Sequence, residues 1–172
     1  GASGGVGSIA IFTLSKFGFR IFACTSNKKK TKFLKSIGAE KIIDLSEFRR
    51  RPNMPLFNIK YSSIIDNVGG DVVNYGMKEL EENGEFFSIG NILSQNIEIN
   101  VLPLILRGIK IIGINAESSS KNTRNKIWDL IKILVKDKKI KRLYSIIRLN
   151  EINKKIKENN LDTNGRIVIK ID

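Results

Sequence analysis

Apolar positions along the chain alternate between a helical period and a strand period. Residues 8–17 carry apolar side chains at helical spacing, and Gly18 stops the run. Residues 19–25 then read as a strand, 26–30 as a polar turn, 30–37 as a helix closed by Gly38, and 41–44 as a short strand. Helix and strand in alternation is the rhythm of a parallel α/β sheet. It continues with a strand over 61–68 that ends in Asn67-Val68-Gly69-Gly70. A helix over 71–82 follows, with Met77 and Leu80 inward and Asn83-Gly84 as its stop, then strands over 85–89 and 109–115. A long helix over 122–135 places Ile127, Trp128 and Ile131 on one apolar face, which assigns Trp128 to the core. Strand 144–149, helix 150–158 with Asn150 as its N-cap, and strand 166–171 close the chain. Residues 49–53 read as a surface loop, and Cys24 as a buried strand residue.

The first seven residues, Gly1-Ala2-Ser3-Gly4-Gly5-Val6-Gly7, lead directly into the first helix. Glycines at such a place permit a tight turn, close approach of backbone N–H groups to a pyrophosphate, and close packing of helix on strand. The helix N-terminus adds partial positive charge toward phosphate. A packing turn would use the same residues. A strand normally feeds this turn at the centre of the sheet, and none precedes Gly1. The expectation is therefore a fragment: a doubly wound, Rossmann-type parallel sheet lacking its first strand.

Composition removes several chemistries. With no histidine and one cysteine, a Cys/His zinc site has too few ligands, a Ser–His–Asp triad is impossible, and no intrachain disulfide can form. The net charge of +13 comes from a chain in which Lys, Ile and Asn supply 67 of 172 residues and Ala only 5. A/T-rich codons produce that skew, so the charge is read as a solvated face and not as a nucleic-acid surface. No apolar run reaches the ~18 residues of a membrane span, and the expected location is the cytoplasm.

Two dehydrogenase families share the opening glycines. Short-chain enzymes pair a tyrosine with a lysine four residues on, to lower the tyrosine pKa. Here Ile65, Glu79 and Arg148 stand four residues beyond Tyr61, Tyr75 and Tyr144. The remaining motifs are Leu34-Lys35-Ser36-Ile37-Gly38-Ala39, Ile64-Ile65-Asp66-Asn67-Val68-Gly69-Gly70, and Leu102-Pro103-Leu104-Ile105-Leu106-Arg107-Gly108-Ile109. Gly84-Glu85-Phe86-Phe87-Ser88-Ile89-Gly90, Ile112-Gly113-Ile114-Asn115 and the closing Gly165-Arg166-Ile167-Val168-Ile169 complete the set. With these the chain resembles the medium-chain dehydrogenase/reductase superfamily, in its acryloyl-CoA reductase/quinone oxidoreductase subgroup. The resemblance implies a zinc-independent, NADP(H)-using homodimer. It also implies an N-terminal GroES-like catalytic domain outside this chain, so the chain alone is expected to be inactive. Residues 1–141 would be the NADP-binding domain, and 142–172 a segment returning to the catalytic domain.

The resemblance and the strand-end positions together give a candidate cofactor site. Ser3, Gly4, Gly5 and Val6 would hold the pyrophosphate, and Thr25, Ser26, Asn27 and Lys30 the adenosine ribose and its phosphate. Val68, Asn91 and Ile105 would line the nicotinamide, with Asn164 at the carboxamide. Each has a plain structural alternative: a turn, a solvated lysine loop, the edge of a core. NADPH is favoured over NADH because no acid follows the second strand until Glu40, where NAD enzymes place one on the ribose hydroxyl. Arg107 is expected on a solvated face. No catalytic residue and no metal ligand is assigned to the chain. The implied reaction is reduction of acryloyl-CoA to propionyl-CoA. Quinone reduction is one alternative, and a non-enzymatic nucleotide-binding or interaction module is the other.

Overall fold

The computed structural model describes residues 1–157 and 164–171. It divides into two compact units, Gly1–Asp44 with Ser120–Asp172, and Leu45–Ser119.

The first unit starts with the glycine turn and helix α1 (Gly5–Lys16), followed by β1 (Phe22–Thr25), α2 (Thr31–Ser36) and β2 (Lys41–Asp44). Strands β1 and β2 pair in parallel, Phe22 opposite Lys41 through Thr25 opposite Asp44. Helix α1 buries Gly7, Ser8, Ile11 and Phe12, the i, i+1, i+4, i+5 face that the sequence pattern marks. Gly18, at φ +79°, ends it, and the amides of Phe17 and Phe19 both return to the Leu14 carbonyl. Ile11 and Phe12 pack with Ala23, Leu34, Ile37, Ala39 and Leu143 into one core. The unit also holds α6 (Lys121–Leu134), β6 (Tyr144–Arg148), α7 (Ile152–Lys157) and β7 (Arg166–Lys170), with β6 and β7 again parallel.

The second unit holds α3 (Leu45–Arg49), β3 (Tyr61–Asp66), α4 (Asp71–Met77), β4 (Leu80–Ser88), α5 (Leu102–Arg107) and β5 (Lys110–Gly113). Its three strands form a parallel sheet in the order β3-β4-β5. Val73, Met77, Leu80, Phe86 and Ile109 form its core. The α/β reading and the parallel pairing therefore hold. Instead of one continuous sheet, the strands stand in three parallel groups. Among the described residues no strand pairs with the second edge of β1 or with the outer edge of β3.

Several local expectations change. The strand expected over 19–25 begins at Phe22. The helix expected over 71–82 stops at Met77, and Leu80 is already in β4. Leu80 pairs with Tyr61 and Glu85 with Ser63, so residues 81–84 loop out of the ladder, and Asn83 takes a left-handed φ of 58°. The Asn-Gly signal was a turn within a strand, not a helix stop. Asn150 is not a cap: the Glu151 carboxylate accepts the Arg148 amide at 2.7 Å instead. Trp128 is 61% exposed, and α6 buries none of its residues. Amphipathic spacing shows that a face needs cover; within this unit only Leu134, at the end of α6, packs against the core.

Residues 49–53 are not a plain surface loop. The Arg51 guanidinium lies 2.6 Å from the Oε1 oxygen of fully buried Glu79, which Lys60 also contacts. Beside it Lys78 is 1% exposed; its ammonium reaches Asn53 Oδ1 at 3.3 Å and stands over the rings of Phe57 and Tyr75. Burial holds the Lys78 amine below its ordinary pKa. Arg107, expected on a solvated face, donates to the carbonyls of Lys78, Leu80 and Phe57 at 2.7–2.9 Å. These groups pin the irregular 50–60 segment to the start of β4. Truncation of one partner of a buried ion pair costs about 3–5 kcal/mol. Arg51→Ala is expected to destabilise the protein toward the lower end of that range, since Lys60 remains, while Arg50→Ala on the exposed neighbour stays within about 0.5 kcal/mol. Urea unfolding of the two variants checks this.

Candidate functional site

The glycine turn folds on itself. The Gly4 amide donates to the Gly1 carbonyl at 3.3 Å, and the Ser8 amide to the Gly4 carbonyl at 2.9 Å, which opens α1. A Cβ on Gly7 would meet the Gly1 carbonyl oxygen and stand 2.8 Å from Ala2 Cα. Only glycine lets the turn lie this close to the first helical turn. Gly4 caps the helix with no side-chain hydrogen bond, and no acidic residue lies in the first turn. The first amides of α1 therefore point outward without a side-chain acceptor. The Ala2 amide also donates to the Cys24 carbonyl at 3.3 Å, which sets the turn against β1. Cys24 itself is half-buried.

The loop after β1 is built by its own side chains. Thr25, buried, accepts the Asn27 amide on Oγ1 at 3.1 Å, and Asn27 Oδ1 accepts the Lys29 amide at 3.0 Å. Ser26 is exposed. The three lysines part ways. Lys28 reaches Asp44 at 3.1 Å, Lys29 is exposed, and Lys30 is 7% exposed with its ammonium 3.1 Å from Asn164 Oδ1. Asn164 had been expected at the carboxamide, with Lys30 on the adenosine phosphate. A hydrogen bond between them puts both at one place, not at the two ends of an extended dinucleotide.

That bond belongs to a larger fastening. The Gly165 amide donates to the Ser3 carbonyl at 3.2 Å, and the Arg166 amide to the Leu143 carbonyl at 2.8 Å. Gly165 has a φ of +72°, and a Cβ there would strike the Leu143 carbonyl. The turn into β7 thus touches both the glycine turn and the β1 loop. Sequence reasoning missed this fastening because Gly-Arg before a final strand says nothing about which turns its backbone amides meet.

In the second unit, Val68 and Asn91 follow the C-terminal ends of β3 and β4. The carboxylate of buried Asp66 accepts the amides of Val68 and Gly69 at 3.0 and 2.8 Å, and the Val68 carbonyl accepts the Leu93 amide at 2.8 Å. Asp66 therefore fixes Val68; an aspartate ahead of Asn-Val-Gly-Gly is the sequence signal for such an Asx turn. Asn67 Oδ1 is buried with no donor among the described residues, a position that favours a ligand N–H. Asn91 is exposed, and Ile105 on α5 is 70% exposed.

Residues 5–133 match the family model described as zinc-binding dehydrogenase. The chain belongs to that family. Acrylyl-CoA reductase AcuI of Ruegeria pomeroyi is 26% identical over 148 residues, which are 86% of this chain and 44% of AcuI. The structure of the YhdH oxidoreductase from Salmonella enterica in complex with NADP superposes with a TM-score of 0.90 at 26% identity, over all of this chain and 53% of YhdH. That of Bacillus subtilis yhfP with NAD bound gives 0.89 at 25% identity, over 99% of this chain and 53% of yhfP. This chain therefore spans about half the length of these relatives and matches the cofactor-binding half of the solved structures. The family description names zinc, and the residues here do not fit it: there is no histidine, and no three Cys, Asp or Glu among the described residues converge. They do fit a dinucleotide phosphate, with an uncapped helix start behind crowded glycines. Gly7→Ala in the intact protein is expected to weaken NADPH binding at least about tenfold, read by fluorescence titration, since the turn must move to admit the methyl group.

Proposed function

We propose that the intact protein reduces an activated carbon–carbon double bond with NADPH, acryloyl-CoA to propionyl-CoA. The observation that carries this is the uncapped, glycine-built start of α1, in a chain similar to acrylyl-CoA reductase AcuI and to YhdH with NADP. Backbone amides of Ser3, Gly4, Gly5 and Val6 hold the pyrophosphate. Ser26 and Asn27 meet the adenosine ribose, and Lys30 carries the charge opposite its 2′-phosphate. The bond to Asn164 aims the ammonium. Val68, Asn91 and Ile105 line the nicotinamide side, with Asp66 positioning Val68. When bound, NADPH supplies hydride to the thioester's β-carbon, and a proton goes to the α-carbon. The protein's task is to orient the cofactor and to stabilise the enolate charge. We assign no catalytic residue to this chain.

Quinone reduction is the second reading, favoured by one likeness: Bacillus subtilis YhfP, 28% identical over 129 residues, is named a putative quinone oxidoreductase. Initial rates with acryloyl-CoA and with a quinone separate the two. The expected result is turnover of acryloyl-CoA at a kcat/KM at least about tenfold higher; the reverse order overturns the choice. The same assay tests the cofactor. One charge-assisted phosphate contact is worth about 1.5–3 kcal/mol, or roughly ten- to a hundredfold. Lys30→Ala is expected to lower the NADPH/NADH ratio of kcat/KM by about that factor, and an unchanged ratio removes Lys30 from the phosphate.

We further propose that residues 142–172 pack on a catalytic domain and that the intact protein is a homodimer through β5. Ile146, Val168 and Ile169 are exposed on a two-stranded parallel pair, an arrangement normally covered on both faces. β5 is the outer strand of its sheet, with Ile111 exposed on it and Ile114 exposed just beyond it. Light scattering at micromolar concentration is expected to give twice the chain mass; a monomer refutes the β5 interface.

A further inference from the structure

The side chain of Arg166 lies across the first turn of α1. A Cβ built on Gly5 would collide with its guanidinium, with Cδ and Cζ both at 2.6 Å and Nε closer still. A cation has been brought to the positive end of a helix, where the dipole disfavours it. Arg166 is exposed to solvent, and no protein group among the described residues offsets this. The first turn of α1 has no acid and no side-chain cap, and the guanidinium makes no hydrogen bond or ion pair among the described residues. Its placement is nonetheless fixed. The Arg166 amide is tied to Leu143 and the Gly165 amide to Ser3; left-handed Gly165 admits no side chain, and adjacent Asn164 holds Lys30. A guanidinium and a row of outward helix amides face the same space, and an anion between them would satisfy both.

We propose that Arg166 is a ligand of the cofactor's pyrophosphate, brought to the glycine turn by the last strand. This rests on the dinucleotide reading above and adds a residue from the far end of the chain to it. A fork of N–H donors suits two adjacent phosphates. It divides the work with Lys30: Arg166 serves the pyrophosphate common to NADH and NADPH, and Lys30 the 2′-phosphate that distinguishes them. Because Asn164, Gly165 and Arg166 are consecutive, the cofactor also fastens β7 to α1 when it binds.

The test is equilibrium binding to the intact protein by calorimetry, with NADPH, NADH and 2′-AMP, which lacks the pyrophosphate. Arg166→Ala and Arg166→Gln are compared, the second keeping the stem that packs on Gly5. Both are expected to weaken NADPH and NADH alike by about ten- to a hundredfold and to leave 2′-AMP within about twofold. Melting of the ligand-free variants reports folding, and the 2′-AMP affinity reports an intact adenosine pocket in the same sample. Wild-type affinity for NADPH in both variants overturns the assignment. Equal weakening of 2′-AMP also overturns it, since Arg166 would then only support the fold. Failure of the unaltered protein to bind either dinucleotide overturns instead the reading on which the proposal stands.

Discussion

The start of α1 is the constraint around which the first unit is arranged. A helix end leaves its first amides without partners, and most helices settle this with a Ser, Thr, Asp or Asn at the cap. Here Gly4 holds the cap position, the first turn carries no acid, and the preceding turn is packed so tightly that Gly7 cannot take a methyl group. Such a helix forgoes only about a few tenths of a kcal/mol of capping, since glycine is itself a tolerated cap. It keeps instead a concentrated, outward-facing set of donors. The neighbouring segments conform to that choice: Ala2 is bonded to β1, Ser3 to the turn before β7, and that turn to Lys30.

Parallel pairing makes a second demand. Each parallel strand needs a crossover and normally cover on both faces. In the second unit α4 and α5 meet part of it, with Val73, Met77, Leu104 and Phe86 forming a core on one face of β3-β4-β5. The other demand falls on strand ends. The N-terminal ends of β3 and β4 are sealed by Arg51, Lys60, Glu79 and Arg107, a dense polar lock. The C-terminal ends are left to loops held by one carboxylate, Asp66. Rigid structure thus collects at one end of the sheet. Irregular backbone turns collect at the other, the end at which α/β folds in general bind ligands.

What the sequence made legible follows from this division. Helix and strand alternation is written in periodicity, so the order of elements and the faces of Ile11, Phe12 and Met77 could be read directly. Glycines announce turns, so the turn that leads into α1 was visible as well. Two kinds of feature were not. Residues 78–84 carry Lys, Glu and Asn-Gly, all exterior signals, and yet Lys78 and Glu79 are buried, because remote Asn53 and Phe57 meet the lysine and remote Arg51 and Lys60 the glutamate. Periodicity cannot see a partner some twenty residues away. Likewise Trp128 sits on the face its spacing predicts, but spacing does not supply the surface that would cover it. The site divides the same way. Thr25 and Asn27 lie where strand-end reasoning puts them, whereas the meeting of Lys30 with Asn164 and of Arg166 with Gly5 joins positions more than 130 residues apart.

The lysines show why composition alone could not locate the site. In a chain with 21 lysines, any one of them is weak evidence of function. Lys28, Lys29 and Lys30 are adjacent and chemically identical, and their surroundings separate them. One sits in a surface ion pair of the kind worth little, and one stands in solvent. The third is buried against an asparagine carbonyl. Lysine is almost never buried unless paired, because removing an ammonium from water is costly. Lys30, buried and fastened to the turn before β7, therefore holds its ammonium at a fixed place, which its two exposed neighbours do not. Arg166 over the first turn of α1 is likewise placed by the fold: two cations positioned by the turn into β7 are a stronger pointer to a phosphorylated ligand than the excess of thirteen charges over the whole surface.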